Sequence, residues 1–172
     1  MEIKTYGAEV LNQIAEEVTE ITEDLRNTIE DMIIECPKAN GIGLAAPQIG
    51  ISKRFFVVTM LSYENEQGEK VPSFKEAFIN PVITDRKGSI KMEEGCLSVP
   101  GIYEIVERPE EISVKYTDLN GEEKIINAYG MLARVIQHEY DHLDGVLFIS
   151  RIPQIKKDLL KKKLKNMKSK NT

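Results

Sequence analysis

Tryptophan is absent from this 172-residue chain, and histidine and cysteine occur only twice each. Two cysteines cannot staple a disulfide scaffold, and two histidines leave little room for a metal-like spacing to arise by accident. Also missing is any run near the ~20 apolar residues of a membrane span. The first residues, MEIKTYGAEVLNQ, carry charges at Glu2, Lys4 and Glu9 and lack the apolar stretch of a secretory signal. These absences point to a cytoplasmic protein with no membrane partner. In that compartment Cys36 and Cys96 stay reduced and are inert, catalytic or metal-binding. What is present is ordinary globular chemistry, 41% hydrophobic and 30% charged, in a length that suits one domain.

Charge is unevenly spread. Residues 151 to 172 hold 9 of the 23 basic residues and 1 of the 28 acids, a balance of +8, which leaves −13 on the remainder. The chain therefore divides into a single acidic domain over 1–150 and a basic amphipathic helix or tail over 151–172. An acidic body does not favour nucleic acid, so no sequence-specific nucleic-acid partner is expected.

Apolar residues recur at three and four spacing from Ala8 to Val18 and from Thr22 to Glu35, which predicts two amphipathic helices, the second capped by Thr22 and ended at Cys36-Pro37. The segment GIGLAAPQIG, Gly41 to Gly50, is too rich in Gly and Pro for a regular element and too apolar for an exposed loop. It reads as a buried irregular segment. Strands are expected over Arg54–Met60, Ala77–Asn80, Val82–Thr84, Ile102–Val106, Ile112–Tyr116 and Lys124–Ala128, with Asn120-Gly121 as a hairpin turn. A second helical period runs from Met131 to Leu143 and stops at Gly145. From Pro153 to Lys168 a stripe of Ile155, Leu159, Leu160, Leu164 and Met167 is surrounded by lysines. The fold class expected is α+β: short, mostly antiparallel strands around a central buried helix, with N-terminal helices and a C-terminal helix.

Both histidines lie in QHEYDHLDG, as His138-Glu139-x-x-His142 within that helical stretch. Random placement would give two histidines this spacing, with a glutamate after the first, roughly once in a thousand chains. On a helix, Met131, Val135, His138 and His142 share one narrow face, while Leu132, Ile136, Glu139 and Leu143 form the face beside it. Two ring nitrogens can then grip a metal while the carboxylate reaches its water. A pair of ordinary core histidines, or a structural zinc site, would use the same spacing.

Metal catalysis usually takes three protein ligands. An extended His-x-x-Gly-x-x-His motif fails, because Phe148 stands where the last His would be, and no Glu follows His142. The third ligand must lie upstream. Cys96, in EEGCLSVP, is the candidate, since a thiolate partners two imidazoles well on a first-row divalent metal; a buried inert thiol is the alternative. Cys36, at a helix end before a proline, reads as inert. A Cys, two His and a Glu argue for hydrolysis. The same helix motif would also serve a zinc endopeptidase.

Together GIGLAAPQIG, EEGCLSVP and QHEYDHLDGVLF resemble peptide deformylase, over most of the chain from about Ile3 to Ile152. The resemblance implies an α+β metallohydrolase that removes the formyl group from the N-terminal formyl-methionine of nascent polypeptides, releasing formate. It implies one divalent ion, ferrous iron in the cell, replaceable by zinc, nickel or cobalt. Carried over residue by residue, it makes Cys96, His138 and His142 the metal ligands and Glu139 the general base and then acid. It makes Gln48 and the backbone N–H of Leu97 the donors to the developing oxyanion. It puts Ile42, Gly43, Gly95, Met92, Met131 and Val135 at the substrate, and pairs Glu94 with Arg108 beside the site. It also implies a possible ribosome contact through the basic C-terminal helix. Asn12 and Tyr103 depart from the family pattern, Tyr103 lying where some members place a peptide-touching Arg.

Overall fold

The computed structural model describes residues 1–65 and 67–169. Its centre is an antiparallel five-stranded sheet of order β1-β2-β5-β8-β9, formed by β1 (Gly43–Ala45), β2 (Phe55–Met60), β5 (Phe74–Lys87), β8 (Glu111–Thr117) and β9 (Glu123–Tyr129). Two hairpins complete the strands: β3 (Tyr63–Glu64) with β4 (Lys70–Val71), and β6 (Ile90–Gly95) with β7 (Tyr103–Arg108). The helices are α1 (Glu23–Lys38), α2 (Gly130–Leu143) and α3 (Gln154–Lys168).

Alternation along β2 explains the layering. Phe55 and Val57 join Ile29, Met32 and Cys36 of α1, whereas Phe56 and Val58 join Val135, Ile136 and Leu143 of α2. Successive side chains point to opposite faces, so every residue of this FFVVTM strand is buried. A third cluster gathers Val99, Ile102, Phe148 and Ile149 against Leu160, Leu164 and Met167 of α3.

Thr22 caps α1, accepting from the Leu25 N–H at 3.2 Å. Pro37 does not end this helix, contrary to expectation. It sits in the last turn, and the chain reverses at Asn40, whose φ of 60° lets the Gly41 N–H reach the Cys36 carbonyl at 2.9 Å. α2 stops as its glycine predicts: Gly145 has φ of 69°, and the Val146 N–H donates to Asp141 O.

Several expectations are corrected. The helix expected over Ala8–Val18 is a single 3-10 turn, Glu9–Asn12, so one α-helix and not two precedes the strands. Beyond it the backbone pairs with distant segments: Ala15 N–H with Leu143 O, Glu16 N–H with Ser52 O and Arg54 N–H with Glu16 O. Such bonds replace the local i to i−4 ladder of a helix. The two strands expected on either side of Pro81 are one, β5, with a bulge at Asn80 (φ 48°), whose amide clamps both the N–H and C=O of Val18. Within Gly41–Gly50 only residues 43–48 are buried, Ile42 and Gly50 being exposed, and the segment holds β1 and a 3-10 turn, Ala46–Ile49. The loop between β8 and β9 is wider than a two-residue turn, because the Asp118 carboxylate accepts from the N–H groups of Asn120 and Glu122. On α3, Ile155 and Leu159 are exposed, and only the other three apolar residues of the stripe pack. No helix among the described residues is long and apolar enough to cross a membrane.

Candidate metal centre

Cys96 leaves β6 in a turn that is tied on both sides. The Val99 N–H donates to its carbonyl, the Ser98 N–H points at its sulfur at 3.4 Å, and the Tyr6 N–H holds Ser98 O. His138 and His142, one turn apart on α2, present their rings with centroids 5.1 Å apart. A ligand atom from each of these three side chains lies within 4.8 Å of the other two, and the Cys96 sulfur stands 3.3 Å from His142 Nε2. Sulfur at ~2.3 Å and nitrogen at ~2.0 Å from a tetrahedral metal would be separated by about 3.5 Å, so the donors present fit a divalent ion.

What surrounds the donors favours a cation between them. His138 Nδ1 is bonded to Glu94 Oε2 at 3.0 Å, which leaves Nε2 for the site. Burial alone would lower the pKa of His138, but the Cys96 sulfur and the Glu94 carboxylate raise it well above its ordinary value. His142, enclosed and facing the positive charges of His138 and Arg108, is pushed well below and stays neutral. Glu139 is pushed up to about 7, chiefly by burial, with the charges of Glu94 and Asp141 adding to it and those of His138 and Arg108 opposing. Its Oε2 is buried without a hydrogen-bond partner among the described residues.

Glu94 is the hub of a buried ion network. Its carboxylate accepts Arg108 Nε at 2.5 Å and Nη2 at 2.9 Å, Arg134 Nη1 and His138. Arg108 continues to Asp141, which also receives both ends of the Arg151 guanidinium. Burial would raise the Glu94 carboxyl, yet the bonds from His138 and Arg108 outweigh it and hold the group well below the carboxylate range. Arg134, Asp141 and Arg151 were not picked out from the sequence. The signal was there: Arg134, His138 and Asp141 recur at i, i+4 and i+7 on a helix read as buried, where unpaired charge is costly.

A cleft of about 440 Å³ opens over the centre. Of the residues singled out by resemblance, it brings together Ile42, Gly43, Gln48, Gly95, Cys96, Leu97, Met131, Val135, His138 and Glu139. His142 is sealed beneath, and Met92, paired with Val106 across the hairpin, does not line it. Gln48 is anchored through Oε1 by the Ala45 N–H at 2.8 Å, so its Nε2 faces the Cys96 sulfur (3.5 Å) and Ser98 Oγ (3.3 Å). Gly43 lies against Glu139: a Cβ there would come within 2.5 Å of its Oε1.

Cys36 stands apart, with Thr59 Oγ1 donating to its sulfur at 3.3 Å and burial pushing the thiol up to about 11. A thiol raised in the folded state adds stability that is complete below its unfolded value of 9.0 and fades as pH rises through about 11. At pH 8 an aromatic disulfide reagent is therefore expected to titrate one thiol, Cys96, in the chelator-treated native protein. The second should appear only on unfolding; two fast-reacting native thiols would contradict this burial.

Comparison with known proteins adds the family. Residues 1–158 match the family described as polypeptide deformylase. The chain is 48% identical over 168 residues to the peptide deformylase of Thermodesulfovibrio yellowstonii, covering 98% of each. It also resembles the crystal structure of peptide deformylase from Ehrlichia chaffeensis in complex with actinonin, with a TM-score of 0.86, 38% identity, and 96% of each chain covered. Against peptide deformylase 1B of Arabidopsis thaliana in complex with an inhibitor, the TM-score is 0.88 at 34% identity, covering 99% of this chain and 92% of that one.

Proposed function

This chain belongs to the polypeptide deformylase family, whose members remove the N-formyl group from nascent peptides, and we propose that it does so by metal-dependent hydrolysis at the Cys96–His138–His142 centre. The observation that carries this reading is the convergence of one sulfur and two ring nitrogens beside a buried glutamate. Cys96, His138 and His142 would hold one divalent ion. Ferrous iron suits the thiolate and two imidazoles in the cell, with Zn2+, Ni2+ or Co2+ able to replace it. Bound there, the ion supplies Lewis acidity that polarises a carbonyl and lowers the pKa of water toward neutrality.

The chain's own residues do the rest. Glu139 takes the proton of the attacking water and returns it to the departing amine, formate being the other product. Gln48 Nε2 and the Leu97 N–H donate to the formyl oxygen as it gains charge, a kind of stabilisation typically worth ~3 kcal/mol per donor. Gly43 and Gly95 line the peptide's path, their missing side chains making room for Glu139 and Tyr103, and Ile42, Met131 and Val135 receive the methionine side chain. Glu94, with Arg108 and Arg134 behind it, holds the His138 ring in place. Residues 1–150, built around the buried helix α2, act as one catalytic domain. The basic tail, +8 over 151–172, is the proposed contact with ribosomal RNA in the cytoplasm, and such contact would weaken with salt.

Protein purified without oxygen and loaded with Fe2+ is expected to release formate from formyl-Met-Ala-Ser, to stop on chelation and to resume on adding Fe2+, Ni2+ or Co2+. Loaded protein that releases no formate, or that instead cuts internal bonds of casein, would overturn the reading.

A further inference from the structure

The 3-10 turn Phe148–Ser150 and the residue after it reach the histidines of α2 by two routes. Phe148 lays its ring beside His138, with centroids 6.0 Å apart. Arg151 follows, the first residue of the basic segment 151–172. Its backbone is fixed: the Arg151 N–H donates to Phe148 O at 2.9 Å, and Ile149 and Ile152 on either side are buried. The guanidinium spans both oxygens of Asp141, Nε donating to Oδ2 and Nη2 to Oδ1, each at 2.5 Å.

From there the bonds run inward without a break. Asp141 Oδ2 also accepts Arg108 Nη1 at 2.8 Å, Arg108 turns Nε and Nη2 onto Glu94, and Glu94 Oε2 is bonded to His138 Nδ1 at 3.0 Å. Exposure falls along this line, the side chain of Arg151 being 43% exposed, that of Asp141 8% and that of Arg108 3%. Asp141 is the joint. Arg151 holds its Oδ1 and shares its Oδ2 with Arg108, so without Arg151 the carboxylate is free to rotate and to draw Arg108 off its two-point seat on Glu94. A half-exposed ion pair on its own contributes little. A planar fork that fixes both oxygens of a buried carboxylate sets an orientation.

We propose that Arg151 is a positioning residue of the metal centre: by clamping Asp141 it keeps Arg108 in register on Glu94, and so keeps the His138 ring aimed at the ion. This rests on the metal-centre reading and carries the catalytic unit into the first residue of the basic segment. Loss of a direct partner of a ligating histidine weakens metal binding ~10 to 100-fold, and Arg151 acts through three intervening side chains, so its loss should cost less, about threefold to tenfold in Kd.

The test compares Arg151→Met, Arg151→Lys and Lys53→Met with the parent protein. Lys53 pairs with Glu16 at 2.7 Å and is 44% exposed, an ion pair of matching exposure outside this line of bonds. The readings are the Kd for Co2+, by competition with a coloured chelator, and the visible absorption bands of the bound ion, which report its ligand geometry; urea titration first establishes that each metal-free protein is folded. In Arg151→Met the Kd is expected to rise about threefold to tenfold and the cobalt bands to shift. Arg151→Lys, which keeps the charge but replaces the fork with a single point, should fall between, and Lys53→Met should match the parent. Parent values in both Arg151 variants, or an equal change in Lys53→Met, overturn the proposal while leaving the metal centre and deformylation intact. If Arg151→Met does not fold, Arg151→Lys decides alone, an unshifted Kd and spectrum overturning the proposal. A parent protein that binds no Co2+ removes the proposal and the metal-centre reading together.

Discussion

Glu139→Gln, loaded with a full complement of metal, is expected to release formate about a hundred to ten thousand times more slowly than the unaltered protein, the range a positioned acid and base contributes. Glutamine keeps the size and the hydrogen-bonding oxygen of the side chain but cannot take a proton. Glu139 is not among the three side chains that converge as ligands, so metal content should be unchanged by elemental analysis. This separates loss of chemistry from loss of the ion. Full activity in metal-replete Glu139→Gln would mean that another group moves the proton, and the other buried carboxylate lining the cleft, Glu94, is committed to Arg108, Arg134 and His138.

Glu94→Ala should have the largest effect on stability. The carboxylate is buried and answers two guanidinium groups that are themselves only 3% exposed, Arg108 and Arg134. Removing one partner of a buried pair leaves uncompensated charge, at a cost of about 3–5 kcal/mol. His138 would lose the acceptor that orients its ring, and loss of such a partner typically weakens metal binding ~10 to 100-fold. Urea unfolding and competition with a coloured chelator would measure the two effects. Glu94→Gln separates them further: it can still accept one bond from His138, so metal should be held more firmly than in Glu94→Ala while the arginines remain unbalanced. An unfolding midpoint for Glu94→Ala equal to that of the parent would contradict the network.

Sequence pattern alone conveyed the central layer best. Two signals coincided over α2, a helical period and a terminal glycine, and β8 and β9 each showed period-two alternation. The N-terminal segment misled because Leu11 and Ala15 do turn inward at helical spacing, yet Ala15 and Glu16 spend their backbone groups on Leu143 and Ser52. Nothing local in YGAEVLNQIAEEV announces those partners. β6 went unrecognised since IKMEEG carries three charges in six residues; its register comes from pairing with β7 across the turn that holds Cys96. The convergence of Cys96, His138 and His142 was legible because rare residue types stood at meaningful spacing. Of the ion network behind them only the Glu94–Arg108 pair was named; Arg134 and Asp141 left a spacing signal on the buried helix that was passed over because both are common residue types, and Arg151 left none.

The close fit of Gly43 against Glu139 bears on inhibition. A compound resting on that glycine touches a wall that mutation cannot thicken, since any added methyl group would invade the space of the Glu139 carboxylate, the proposed base. Escape variants would have to arise farther out, at exposed positions such as Ile42 or Tyr103, where bulk can change without disturbing Glu139. Scaffolds that take their affinity from the glycine and little from the rim should be the slowest to meet resistance.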